Sequence, residues 1–352
     1  MAEPIELTQL QAEKSAPQPS LIDHWITWID NLGMSAWLFY LLAILALALV
    51  IHLTLWLDGV LPFGAYAAIP GIFPPVVFAF MALYHYLTHI GIQSLHNFRP
   101  LLDVSEAEFA KIEVRFSVLP RKTDWLLLVI SIPLAAPFLI DNPSTWGDLT
   151  PNTTWALLIF FVIIIFFNYT FIALNVRSFR QIKMIGELHA RASNLNLMKL
   201  EPVHAFSALT SRTGIGLFLI SLFGVLYNPS AAVSTTWTIV GYIIIAFMAI
   251  AVFIVPLIGI RGLLGQKKTS ELHKMEDLIQ AANEQLHQKV TRGEFDDLGG
   301  IQSALNMLTR ERDQIKGVPT WPWNPGTLRG FASTLILPVF LRYVYQLVEN
   351  LF

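Results

Sequence analysis

The chain has 352 residues, 54% of them hydrophobic and only 14% charged, with a formal net charge of -2 and a mean hydropathy of +0.55. A soluble globular domain carries about 25% charged residues, so the composition excludes that class and points to an all-α polytopic membrane protein. The absence of cysteine excludes disulfides, thiolate metal sites, cysteine nucleophiles and S-palmitoylation.

Residues 1–19 are polar and read as a disordered tail. They lack the basic start and short apolar core of a cleavable signal, so the first apolar segment is expected to stay as an anchor. Ser20 caps a short amphipathic helix. Its stripe holds Leu21, Trp25 and Trp28 with Ile22, Ile26 and Ile29 alongside, Asp23, Thr27 and Asp30 fall elsewhere, and Gly33 can stop it. Two tryptophans on such a stripe suit a helix lying in the membrane interface.

Apolar spans follow at about 36–57, 66–92, 124–140, 153–176, 205–228 and 236–260, each near the roughly 20 residues that cross the hydrocarbon. Trp37, Trp56, Trp125, Trp155 and Trp237 lie at or near their ends, as an interfacial belt requires. The intervening inner segments are expected to be helical too. Ser105 and Glu108 form a capping box with Val104 and Phe109 as its staple, opening a short helix through Phe116. Phe179, Ile182, Ile185, Leu188, Ala192 and Leu195 carry span four onward as a projecting helix, and Pro202 suits the first turn of the helix containing span five.

Beyond span six, Leu272, Met275, Ile279, Ala282, Leu286 and Val290 recur at helical spacing, and Ile301, Leu305, Leu308 and Ile315 do so again. With Arg292, Gly293 and the Gly299–Gly300 pair marking a reversal, the pattern predicts an antiparallel hairpin. The acidic run Glu294, Asp296 and Asp297 reads as a solvated turn. Four regions result: a tail and interfacial helix (1–35), a six-helix membrane domain with cytoplasmic extensions (36–265), a cytoplasmic hairpin (266–318), and an elbow with a final helix (319–352).

Every Lys and Arg except Arg342 falls on one side if the N-terminus starts there, so the positive-inside rule makes that side cytoplasmic in a plasma (inner) membrane. The final segment follows an elbow of Pro319, Trp321, Pro322, Trp323 and Pro325. It sets Arg342, Gln346 and Glu349 on one helical face. Its uninterrupted apolar part, Phe331 to Leu341, is a length that also fits a re-entrant or interfacial segment; as a seventh span it makes these three the candidates for a pore or ligand path. No Asp, Glu, Lys or Arg interrupts the cores of the first six spans, which argues against an ion-coupled transporter.

His85, His89 and His96 share one face near the inner end of span two. Histidines at i and i+4 can share a metal, but the multiple boxes of membrane desaturases are absent. The expectation is packing histidines, no cofactor and no enzyme. Nucleic acid is not an expected partner, since the basic residues are interleaved with acids and explained by topology. The expected partners are the lipid bilayer, further copies of the chain and a cytoplasmic protein on the hairpin.

A cytoplasmic N-terminus, seven helices, a helical base built from inner extensions and a last helix with a polar face together resemble the insect chemoreceptor type of ligand-gated cation channel. The resemblance spans the whole chain and is carried by topology. The Thr-Tyr pair near the end of that family's last helix is replaced here by the run Phe340 to Tyr345, so no family residue is carried across. What the resemblance implies is an oligomeric channel or receptor, set beside a membrane scaffold and a transporter as the competing readings.

Overall fold

The computed structural model describes residues 18–140, 149, 151–193, 195, 197, 200–227, 236–293, 298–321, 326, 329–330 and 332–333. All regular structure among them is helical: α1 (Leu21–Asp30), α2 (Ala36–Leu57), α3 (Ala68–Phe98), a 3-10 turn (Arg99–Leu101), α4 (Glu106–Ser117), α5 (Arg121–Ile140), α6 (Thr154–Ala190), α7 (Glu201–Tyr227), α8 (Thr236–Arg292) and α9 (Leu298–Gly317). Helices therefore stand at all six expected span positions. Four stretches among the described residues are long and apolar enough to cross a membrane: Ala36–Leu57, Phe73–Leu101, Thr154–Ala190 and Glu201–Ile220. The remaining two apolar segments lie on α5 and in the first part of α8. Of the final segment with its candidate seventh span, nothing beyond residue 333 is among the described residues.

Local rules explain most helix starts and stops. Ser20 caps α1 in full: its hydroxyl accepts from Asp23 N–H, and the Asp23 carboxylate reaches back to the Ser20 backbone. Ser105 likewise accepts from Glu108 N–H at the start of α4. Only half of that box closes, because the Glu108 carboxylate turns outward to Arg191, 3.1 Å away. Val104 and Phe109 pack into the same apolar cluster, as a staple should. Gly33 and Gly293 follow α1 and α8 with φ of +70° and +71°, a region glycine enters at little cost.

Three expectations change. Gly293 follows α8 directly, but Gly299 and Gly300 lie inside α9 instead of marking the reversal, and the acidic run at 294–297 falls outside the described residues. Span six and the first hairpin helix are one uninterrupted 57-residue helix, about 85 Å long at 1.5 Å per residue. The regional boundary at 265 thus falls inside a helix. Finally, α6 ends at Ala190, so Ala192 and Leu195 lie past it; Ser193 N–H donates to Leu101 O at 3.1 Å instead.

The bundle is built by α3 against α2, α6 and α7, by α5 against α6, and by α8 against α6, α7 and α9. Its main core joins Ile22 of α1, Tyr84, Leu95 and Phe98 of α3, Phe116 of α4, Leu174 and Ile185 of α6, and Phe206 of α7. Leu272 and Met275 of α8 and Ile315 of α9 extend that core, so the hairpin is seated on the bundle at its root. At the opposite end Asp58, just past α2, accepts from the backbone N–H of Asn152 and Thr153 and from the Thr153 hydroxyl, tying α2 to the start of α6.

Candidate functional site

The amphipathic helix α1 does more than lie on a surface. Ile22, Ile26 and Ile29 are buried and Asp23 is buried with them, while Trp25 and Trp28 are 43% and 55% exposed. Asp23 is off the apolar stripe yet does not face solvent: its carboxylate is the centre of a buried polar node. Oδ1 accepts the Tyr84 hydroxyl at 2.9 Å, and Oδ2 accepts Leu119 N–H at 2.9 Å and the Ser20 hydroxyl at 2.7 Å. Asp124, in the first turn of α5, accepts Leu21 N–H at 2.8 Å and the Tyr169 hydroxyl.

Both carboxylates thus meet the N-terminus of α1, where free N–H groups and the helix dipole favour negative charge. The counter-charge is Arg177 of α6, only 4% exposed. Its guanidinium lies over the Tyr84 ring, 4.3 Å from the centroid, and donates to the Thr88 hydroxyl. Its Nε and Nη2 are buried and have no hydrogen-bond partner among the described residues. Two acid–phenol pairs, one of them backed by Arg177, therefore lock α1, α3, α5 and α6 together.

A second polar group forms at the other end of α1. His85 Nε2 lies 2.9 Å from Asp30 Oδ1 and 3.1 Å from His89 Nε2, and His89 Nε2 lies 3.4 Å from Asp30 Oδ2. The His85 side chain is buried, while Asp30 and His89 are open to solvent, at 39% and 57% side-chain exposure. Behind the ring, His85 Nδ1 meets the Tyr40 hydroxyl of α2 at 3.1 Å, and that hydroxyl reaches Met81 O at 3.4 Å. Beside it an apolar cavity of about 510 Å³ is lined by Trp25, Trp28 and Ile29 of α1, Phe39, Phe78, Met81 and Phe166.

Of the three histidines singled out in the sequence, the structure brings His85 and His89 together and leaves His96 apart, 3.2 Å from Glu113. His52, within α2, is a packing residue: its ring stacks on Tyr66 with centroids 5.1 Å apart, and Nδ1 lies 2.8 Å from Ala48 O. Arg342, Gln346 and Glu349 fall outside the described residues. Sequence periodicity missed Asp30, which lies 55 residues from His85, and Asp124, 103 residues from Leu21. The available signal for Asp124 was an acidic residue in the first turn of α5, after Arg121, Lys122 and Thr123, where the helix dipole favours negative charge. Comparison with protein-family models, with curated proteins and with solved structures returns no match.

Proposed function

We propose that the chain is a non-catalytic multi-pass protein of the plasma (inner) membrane, with a cytoplasmic N-terminus, working as a homo-oligomer of channel or receptor type. Six spans on α2, α3, α5, α6, α7 and the first part of α8 would leave the N-terminus and the hairpin on the same side. That is the side on which every Lys and Arg but Arg342 would then lie, in keeping with the charge rule.

The observation that carries the reading is the way the chain returns after α9. Lys268 Nζ donates to the carbonyls of Lys316 and Val318, both at 2.7 Å, and Arg261 lies over the Trp321 ring, 3.9 Å from its centroid. Trp321 is thereby held beside the point where α8 passes from apolar to polar sequence. A seventh helix starting there would carry Arg342, Gln346 and Glu349 on one face into the membrane. A charge in that position needs water or a partner instead of lipid, and a central path between copies supplies both.

The test uses the cysteine-free background. A single Phe352→Cys thiol should react with an impermeant reagent in intact cells, and Arg342→Ala should change ion flux through reconstituted oligomers. A thiol reached only after permeabilisation, or flux insensitive to Arg342, overturns the proposal. The exposed hairpin favours a second reading, a scaffold for a cytoplasmic protein: Met307 is 71% exposed and Ile315 is the buried residue of α9. Deleting residues 270–315 should then abolish partner binding and leave membrane insertion intact.

A further inference from the structure

We propose that Asp30, His85 and His89 form a binding site for a divalent transition-metal ion of the zinc type, with one coordination position open to solvent. The site is independent of the oligomer reading. Two imidazole nitrogens and a carboxylate are the donor set that suits such ions, and three protein ligands plus an open place is the usual pattern where the ion is not sealed in. One ligand atom from each residue can be chosen so that all lie within 4.8 Å of one another.

The spacing itself is informative. Four ligands about 2.0 Å from a tetrahedral centre lie about 3.3 Å from each other. Here the short approaches are 2.9, 3.1 and 3.4 Å, the carboxylate using Oδ1 toward His85 and Oδ2 toward His89. Hydrogen bonding alone serves these three approaches poorly. If both imidazoles donate to Asp30, two N–H groups crowd at 3.1 Å; if His85 donates to His89, its one Nε2 proton must be shared with Asp30. A cation placed among the three lone pairs removes the conflict.

Surrounding groups also fit. A metal on Nε2 fixes the proton of His85 on Nδ1, where it can donate to the Tyr40 hydroxyl, which in turn donates to Met81 O. A ligating histidine held through its other nitrogen is the expected outer shell of such a site. Entry is available from the exposed side of Asp30 and His89. The ion would clasp the C-terminal end of α1 to α3, next to the aromatic cavity that α1 partly walls.

The experiment takes the purified full chain, strips it with a chelator and titrates zinc chloride by calorimetry, with cobalt(II) absorption as a second readout. The expected result is one ion per chain and the intense visible bands of four-coordinate cobalt. His89→Ala and Asp30→Ala should abolish both, and His96→Ala should leave both unchanged. Tyr40→Phe should weaken binding about 10- to 100-fold, the scale of a lost outer-shell partner. His89 is more than half exposed, so its replacement leaves the core packing intact. No saturation at one ion per chain, or wild-type binding by the His89→Ala chain, overturns the proposal and leaves the oligomer reading untouched.

Discussion

Replacing Asp23 with alanine tests the buried node most directly. The Ser20 hydroxyl, the third donor, can rotate to suit, but the change strands two fixed donors in the protein interior, Leu119 N–H and the Tyr84 hydroxyl, both on residues with no exposed surface. Each buried donor left unsatisfied costs about 1–3 kcal/mol. Loss of the reciprocal half of the α1 capping box adds up to about 1 kcal/mol. Together these give about 2–7 kcal/mol, and the lower half is favoured if water follows the cavity inward. Reversible unfolding in mixed detergent micelles, followed by tryptophan fluorescence, measures the difference. In a Tyr84→Phe background one stranded donor is already gone, so Asp23→Ala should then cost about 1–3 kcal/mol less. A cost below about 0.5 kcal/mol, or strict additivity of the two substitutions, would refute the node as a stabilising element.

Other positions test other contacts. At Gly216 of α7 an added Cβ would lie 2.6 and 2.7 Å from the two methyl groups of Leu83, so Gly216→Ala should destabilise by about 1–3 kcal/mol, and Leu83→Ala should relieve part of that in the double variant. The Glu271 carboxyl is held below its ordinary range by hydrogen bonds from Lys267 and Lys274, at 3.0 and 3.1 Å. Its contribution is therefore present above the unfolded carboxylate range near about pH 4.3 and is lost as pH falls through the depressed folded value. Hydrogen exchange across 267–274 should accelerate with acid in that window, and Glu271→Gln should remove the dependence. Trp321→Ala removes a cation–π contact of about 0.5–2 kcal/mol with Arg261; limited proteolysis should then cut the elbow after Gly317 several times faster, and an unchanged rate would count against the clamp.

Local chemistry was readable from the sequence wherever one helix carries the whole signal. Ser20 and Ser105 announce their helices because a cap hydroxyl bonds within its own turn. The six apolar stretches announce theirs by length and hydropathy. The continuity of α8 was not readable in the same way. The shift from apolar to charged residues at Arg261 to Lys268 looks like an ending, but each helical bond is made within the chain whatever surrounds it. Gly262 and Gly265 add about 1 kcal/mol each without a terminating geometry. The contacts of Asp23, Asp30 and Asp124 were hidden for another reason. Periodicity gives the face of one helix, whereas these carboxylates bond groups 45 to 103 residues away, and the rotation of one helix against another is not in the pattern of either.

The two ends of α1 are held by opposite means, and this bears on what the helix can do. At its start Asp23 is buried, satisfied by fixed donors and backed by Arg177, so opening there would expose a charge and two stranded groups together. At its finish Asp30 and His89 stand open to solvent, and the close His85–His89 approach leaves a proton-sharing conflict that water or a cation can relieve. Motion of α1 is therefore expected to pivot on the Asp23 end and swing at the Asp30 end. Trp25, Trp28 and Ile29 lie on the swinging part and form one wall of the apolar cavity. An ion bound at Asp30 would hold that wall against Phe39 and Met81, and its release would widen the cavity by freeing α1 without unfolding it. Zinc should accordingly slow hydrogen exchange in residues 28–33 while leaving 20–24 unaffected; equal protection at both ends would contradict a pivot at Asp23.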